Sequence, residues 1–320
     1  MSSPVRVAVA GQHVDGVRRR LGDLGDAVHL LPLTAGSAAS DVRAADAALA
    51  WDIGDAELHM LLDHAPGLRW LHSPSAGVDK LPLAELRRHN IALTNAADVF
   101  AVPISEWVMG TLLAIAKKTR ALYDAQRDDR WHGDLALEEL TGKTLLLLGS
   151  GGIGREIARR AAPFGMRIWA SGRTGRAVEG TERVVSGDGW RTLLPDADFV
   201  VMSLPLTDST RGTIGSQELR SFKQGAWLVN VGRGATTEEQ AVLEAVREGR
   251  LGGAAIDAWT EEPLPPDHPA WTMANVIVSP HVSGSSPLNN ERTLTLFVDN
   301  LRRFVNGEDL RNRVDLALGY

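Results

Sequence analysis

At 320 residues the chain is longer than a single hydrophobic core usually serves, so two domains are expected. A composition of 44% hydrophobic and 23% charged residues is that of a globular protein, and a net charge of −6 argues against the basic surface that nucleic-acid binding needs. Cysteine is absent, which excludes disulfides, thiolate zinc sites and cysteine nucleophiles, and no metal site is expected.

The chain opens directly into a strand pattern, MSSPVRVAVAG, without a long apolar leader, and no later stretch reads as long enough to span a membrane. A soluble cytoplasmic protein is expected, with neither nucleic acid nor membrane as partner. Val5–Ala10 is a β-branched run closed by Gly11 and followed by a helix-like segment through Arg18–Arg20, together a βα unit. Ala47–Trp51 and Leu68–His72 read as further buried strands, with helical spacing over Asp55–Asp63 between them. Such alternation implies a parallel sheet with helices on its faces. The turn-rich loop Ser73–Asp79 follows a strand directly, at the sheet edge where open α/β folds bind ligands, and its backbone amides can hold a carboxylate. Ile91–Leu93 closes this unit. From Val102 the pattern predicts one long helix through Gln126, with Pro103 at its start, where helices accept proline. It is apolar around much of its circumference, which suits burial on two sides at a domain junction or subunit interface.

Thr144–Arg160, TLLLLGSGGIGREIARR, reads as strand, tight turn and amphipathic helix, with Gly149, Gly151 and Gly154 in GxGxxG spacing. The first glycine serves the turn, the second lets backbone approach a pyrophosphate, and the third lets helix and strand pack closely. The pyrophosphate is expected on the helix N-terminus, among Ser150, Gly152 and Ile153, where orphan N–H groups and the macrodipole favour an anion. Strand patterns around Leu146, Ile168, Val200, Leu228, Ile256 and Ile277 then supply the six strands of a doubly wound dinucleotide fold. Pro287–Asn306 is a final amphipathic helix that returns to the first domain. The expected organisation is α/β: a Rossmann-type doubly wound parallel sheet over residues 102–286, inserted into a substrate domain built from residues 1–101 and 287–320.

A ribose-binding acid is usual about 20 residues past the first glycine. Here the strand Met166–Ala170 runs into Ser171, Gly172, Arg173, Thr174, Gly175 and Arg176, with no carboxylate in the turn. Arginine and hydroxyl groups suit a 2′-phosphate, so NADP(H) is preferred, with Ser171, Arg173 and Thr174 as contacts and NAD(H) as the alternative. Three ionisable residues follow strand patterns of this domain: Arg233 in NVGRG, Glu262 in DAWTEEP and His281 in VSPHVSGSS. Loops at one edge of a parallel sheet converge, and the three types make a reaction set. Histidine carries a proton at neutral pH, a carboxylate beside it orients the ring, and arginine offers a fork matching a carboxylate.

The motifs SAGVD (75–79), PISEW (103–107), LGSGGIG (148–154), PLTDSTRGTIG (205–215), NVGRG (230–234), DAWTEEPLP (257–265) and SPH (279–281) span nearly the whole chain. In order and spacing they resemble the D-isomer-specific 2-hydroxyacid dehydrogenase family, in its NADPH-using glyoxylate/hydroxypyruvate reductase-like branch. The resemblance implies a flavodoxin-like substrate domain, a homodimer built on the Pro103–Gln126 helix, and hydride transfer between NADP(H) and a small 2-oxo or D-2-hydroxy acid. It implies catalytic roles for Arg233, Glu262 and His281, and substrate binding by these and by the amides of Ala76 and Gly77. By the same resemblance Pro205, Val231, Gly232 and Asp257 line the cofactor, Asp257 near the carboxamide. Trp51, Trp131 and Arg292 are possible additions to the pocket. The competing reading is a non-enzymatic NAD(P)-sensing protein of corepressor type on the same fold; an NAD-linked formate dehydrogenase has a different active-site set and a larger chain.

Overall fold

The computed structural model describes residues 3–34 and 36–320. The chain divides into two compact units, residues 1–100 with 286–320 and residues 101–285.

The first unit holds β1 (Val5–Ala10), α1 (Val14–Leu21), β2 (Val28–Leu33), α2 (Ala39–Val42), β3 (Ala47–Leu49), α3 (Asp55–His64), β4 (Trp70–His72), α4 (Leu83–Arg88) and β5 (Ala92–Thr94). Its strands are parallel in the order β2-β1-β3-β4-β5, the flavodoxin-like order. Both faces are covered, so the central strands are apolar throughout rather than alternating. Val7, Val9, Leu49 and Trp70 face α1 and Leu294, Phe297, Val298 and Leu301 of the last helix; Ala8, Ala48, Leu71 and Leu93 face α3 and α4. Two features escape the sequence pattern. β2 is an edge strand, VHLLPL, whose Pro32 is tolerated because an edge leaves one side unpaired. The C-terminal tail pairs antiparallel beside β5, with the Val314 N–H donating to the Leu93 carbonyl at 2.8 Å.

The predicted helix over Val102–Gln126 is two helices, α5 (Ala97–Ala116) and α6 (Thr119–Arg127). Asn95 opens α5 ahead of the proline, its Oδ1 accepting the Ala97 N–H at 3.2 Å, so Pro103 lies inside the helix rather than at its start. The break comes at Lys118, in the left-handed region with φ 47°, where the Ala116 carbonyl accepts the Glu138 N–H and Lys117 Nζ donates to the Glu138 carbonyl. Contrary to the sequence expectation, the 20-residue α5 is long and apolar enough to cross a membrane by length and composition; its 18-residue apolar stretch has mean hydropathy 1.7 and is 56% buried inside the protein, as in a core helix.

The second unit continues with β6 (Thr144–Leu148), α7 (Gly152–Ala161), β7 (Arg167–Gly172), β8 (Arg183–Ser186), β9 (Phe199–Met202), α8 (Ser216–Ser221), β10 (Trp227–Asn230), α9 (Glu239–Arg247), β11 (Gly253–Ile256) and β12 (Val276–Val278). Its seven parallel strands run β12-β11-β10-β9-β6-β7-β8, the doubly wound order with one strand added. β8 was not apparent in the sequence, being a short edge strand. The last helix, α10 (Asn289–Asn306), belongs to the first unit, where it packs on α1.

Inside the first unit His72 is fully buried between Trp70 and Phe297, its Nδ1 2.7 Å from Thr94 Oγ1, which also accepts the Trp70 indole N–H at 2.9 Å. Desolvation holds its pKa at about 3, well below the usual imidazole value near 6.5. The fold therefore keeps the ring neutral: its contribution is complete above pH 6.5 and is lost as pH falls toward 3, at up to about 1.4 kcal/mol per pH unit. Urea unfolding between pH 7.5 and 4 should show His72→Phe losing less stability than the wild type over this range; equal losses would assign acid sensitivity to other groups.

Candidate active site

In the second unit the order in which strands are added reverses between β6 and β9, and the glycine turn sits on that switch point. Gly149, at φ 114°, is pressed against the loop after β9; a Cβ there would lie 2.7 Å from Ser203 Oγ and 3.0 Å from its carbonyl oxygen. A Cβ at Gly154 would collide with the Gly149 carbonyl, so the turn and α7 meet backbone to backbone. Gly151, the residue before α7, differs: a Cβ there meets nothing within 4 Å, and the first turn of α7 has no acidic residue. These features fit an anion on the N–H groups of Ser150, Gly152 and Ile153. Ser150 lies over Gly172, where any side chain would strike its Oγ. That contact brings the glycine turn against the end of β7, where Ser171 is buried and Arg173 and Thr174 are exposed.

The three ionisable residues sit on the carboxyl ends of β10, β11 and β12. After β10 the Asn230 side chain clamps its own turn, Oδ1 accepting the Gly232 N–H at 3.0 Å and Nδ2 donating to the Arg233 carbonyl at 3.1 Å. Gly232 abuts the Leu204 carbonyl next to Pro205, and Gly234 packs so closely on Trp259 and Thr260 that only glycine fits. Arg233 is half-buried, its Nη1 donating to the Gly232 carbonyl at 3.0 Å. After β11, Asp257 is only 1% exposed, and its carboxylate accepts from Ser279 Oγ at 2.6 Å, Val282 N at 2.9 Å and Ser283 N at 3.1 Å. Its carbonyl takes the His281 N–H at 2.9 Å. Asp257 thus holds the loop that carries His281, which itself adopts φ 55°, a strained conformation for a non-glycine residue.

Glu262 and His281, from different loops, meet directly: Nδ1 stands 2.9 Å from Oε2 and 3.0 Å from Oε1. Oε1 also accepts the Trp259 N–H at 2.9 Å, which orients the carboxylate. The pair stays partly open, with side-chain exposures of 44% and 38% for His281 and Glu262. A carboxylate on Nδ1 puts the Nδ1 proton in that bond and leaves Nε2 as the atom that exchanges a proton. Behind the loop, Glu239 accepts the Thr260 N–H at 3.1 Å and pairs with His268 Nε2 at 3.0 Å. The sequence reading did not pick out Asn230, Glu239 or His268. An Asn at a strand end two residues before Gly is an Asx-turn signal and marks the first; the other two depend on contacts across 29 residues.

Ala76 and Gly77 lie in the first unit, after β4. Asn95 Nδ2 donates to the Ala76 carbonyl at 2.8 Å and the Ala96 N–H to the Ser75 carbonyl at 3.0 Å. On the neighbouring strand ends Trp51 stacks on His13 with ring centroids 4.3 Å apart, and His13 Nε2 meets Asp52 Oδ2 at 2.8 Å. Arg292 is on α10, lining a groove of about 660 Å³ with Arg20, Asp98, Asp299 and Arg302. Trp131 is 96% exposed. No cluster of three or more potential metal ligands occurs among the described residues.

Residues 109–283, more than half of the chain, match the family model for the D-isomer specific 2-hydroxyacid dehydrogenase, NAD binding domain. The chain belongs to this dehydrogenase family. A glyoxylate reductase of Korarchaeum cryptofilum is 32% identical over 266 residues, 82% of this chain and 79% of its own, and one of Thermococcus gammatolerans is 34% identical over 256 residues, 78% and 76%. Among solved structures, a D-isomer specific 2-hydroxyacid dehydrogenase of Xanthobacter autotrophicus in complex with NADPH and MES superposes with TM-score 0.85 at 27% identity, covering 100% of both chains. The NADPH-dependent glyoxylate/hydroxypyruvate reductase of Sinorhizobium meliloti, in complex with NADP and sulfate, gives 0.80 at 28% identity, covering 99% of this chain and 100% of its own. The protein is accordingly a 2-hydroxyacid dehydrogenase with a nicotinamide-binding domain, acting as a 2-oxo acid reductase, and a non-enzymatic sensor is not favoured.

Gly151 faces open space, whereas Gly154 is packed against backbone. Gly151→Ala should leave thermal stability unchanged but weaken nicotinamide-cofactor binding, whereas Gly154→Ala should cost about 1–3 kcal/mol of stability, as overpacking does. Thermal denaturation and cofactor titration check both; a stable Gly154→Ala protein or full cofactor affinity in Gly151→Ala would contradict this division.

Proposed function

We propose that the enzyme is an NADP(H)-dependent reductase of small 2-oxo acids, of the size of glyoxylate or hydroxypyruvate, forming the D-2-hydroxy acid. The observation that carries the reading is the Glu262–His281 pair, held open by Asp257 at the carboxyl edge of a dinucleotide-binding sheet. In this reading the Arg233 fork of the second unit is a carboxylate binder, and the Ala76 and Gly77 amides of the first unit form a carboxylate cradle. His281, protonated on both nitrogens, donates from Nε2 to the oxygen of the 2-oxo group as negative charge develops there. Glu262 accepts from Nδ1 throughout, fixing the ring and stabilising the imidazolium. The bound reduced nicotinamide supplies the hydride.

The preference for NADP(H) over NAD(H) is supported by the turn after β7, which has Ser171, Arg173 and Thr174 and no carboxylate to repel a 2′-phosphate. The NADPH and NADP complexes of the Xanthobacter and Sinorhizobium proteins agree with it. Residues Gly149–Gly154 would hold the pyrophosphate, and Pro205, Val231, Gly232 and Asp257 would line the remainder. Asp257 can serve the carboxamide only in addition to its bonds to the His281 loop.

Loss of nicotinamide absorbance with glyoxylate and hydroxypyruvate tests the proposal. Activity should be higher with NADPH than with NADH, and His281→Ala should lower kcat by about 10²–10⁴-fold with little change in NADPH affinity. Full turnover in that variant would remove His281 from the chemistry, and equal use of NADH would remove the cofactor preference.

The same proposal includes a homodimer. Tyr123 and Trp131, 67% and 96% exposed, leave large aromatic surfaces uncovered along residues 119–139 together with Leu122 and Leu137. Analytical ultracentrifugation should give twice the chain mass; a monomer at working concentration would exclude it.

A further inference from the structure

The loop Ser73–Asp79 is held from one side by a single amide side chain. Asn95 follows β5 and uses both ends of its carboxamide at once: Nδ2 donates to the Ala76 carbonyl at 2.8 Å, while Oδ1 accepts the Ala97 N–H at 3.2 Å. The adjacent Ala96 N–H takes the Ser75 carbonyl at 3.0 Å. Asn95 is itself braced by the C-terminal tail, its N–H donating to the Asn312 carbonyl at 3.1 Å and its carbonyl accepting from Asn312 Nδ2 at 3.3 Å. Arg311, the residue before Asn312, is fixed in turn by the buried Asn300, whose Oδ1 accepts the Arg311 N–H at 2.7 Å and whose Nδ2 donates to its carbonyl at 3.1 Å.

These bonds orient the loop because a trans peptide points its carbonyl and N–H in opposite directions. The Ser75 carbonyl shares a peptide with the Ala76 N–H, and the Ala76 carbonyl shares one with the Gly77 N–H. With both carbonyls turned toward Asn95 and Ala96, both N–H groups face the other way. We propose that Asn95 is a positioning residue for substrate: it aims the Ala76 and Gly77 amides and thereby sets affinity for the substrate carboxylate. This rests on the reading of Ser73–Asp79 as the carboxylate cradle. An Asn is needed because the post must donate and accept simultaneously; a carboxylate only accepts, and a serine is too short to reach Ala76. Without the Nδ2 bond the 76–77 peptide is free to turn, and affinity falls by the fraction of time it is misaligned.

Asn95→Ser separates this role from stability, because serine still accepts the N–H two residues on and preserves the entry to α5. In the NADPH-loaded enzyme Asn95→Ser should raise KM for glyoxylate about tenfold and leave kcat and Tm nearly unchanged, the size of effect expected from misplacing one hydrogen bond to a charged group. Asn95→Ala should show the same KM and a lower Tm. Oxalate, titrated with NADP bound, should shift the Ala76 and Gly77 amide resonances of the wild type, with affinity about tenfold weaker in Asn95→Ser. If the wild type responds and Asn95→Ser binds oxalate and glyoxylate equally well, or if KM rises only where Tm falls, the positioning role is overturned. If the wild type shows no response at Ala76 and Gly77, the cradle reading itself fails.

Discussion

The Asp257 carboxylate is the constraint on which the carboxyl edge of the second sheet depends. It has almost no contact with water, and it accepts from a hydroxyl and two backbone N–H groups of one loop. A buried carboxylate without such donors is costly, so the loop must close around it to satisfy it. Closure forces His281 into the left-handed region and turns its ring onto Glu262. The Glu262–His281 contact is therefore a consequence of satisfying a charge one strand away, and removing Asp257 would release the backbone strain at His281 rather than merely delete a contact.

Close backbone packing is the complementary device. Gly149, Gly154, Gly172, Gly232 and Gly234 each stand where a methyl group would strike a neighbouring loop. The ends of five strands, β6, β7, β9, β10 and β11, are thereby compressed into one layer, closer than side-chain packing would allow. Gly151 alone of the motif faces space, and it is the position at which a cofactor would need the room.

Much of this was legible beforehand because buried parallel strands are apolar on both faces: LLLL in β6, FVVM in β9 and GAAI in β11 identify themselves. The strands that went unseen, β2 and β8, lie at sheet edges, where one side is solvated and the pattern dilutes. α5 starts before the proline expected to open it: Pro103 is a strong local signal for a helix beginning, whereas the actual opening is made by Asn95, a residue whose importance comes from what lies opposite it. Glu262 and His281 were visible as ionisable residues after strands. Their contact, and the support from Glu239 and His268, depend on the register of loops far apart in sequence, whereas Asn230 acts within its own turn.

The placement of α10 bears on how the chain acquires its structure. Phe297 and Leu301 complete the same apolar layer as Val7, Val17 and Trp70, so the first unit joins residues nearly 300 positions apart. Such long sequence separation slows folding, because loop closure must precede the contacts that reward it. During synthesis the first unit's strands emerge first but leave one face uncovered, while the contiguous second unit can complete its own core. Until α10 arrives, the face around Trp70 lacks its cover, and exposed apolar surface of that kind is what makes partly folded chains prone to aggregate.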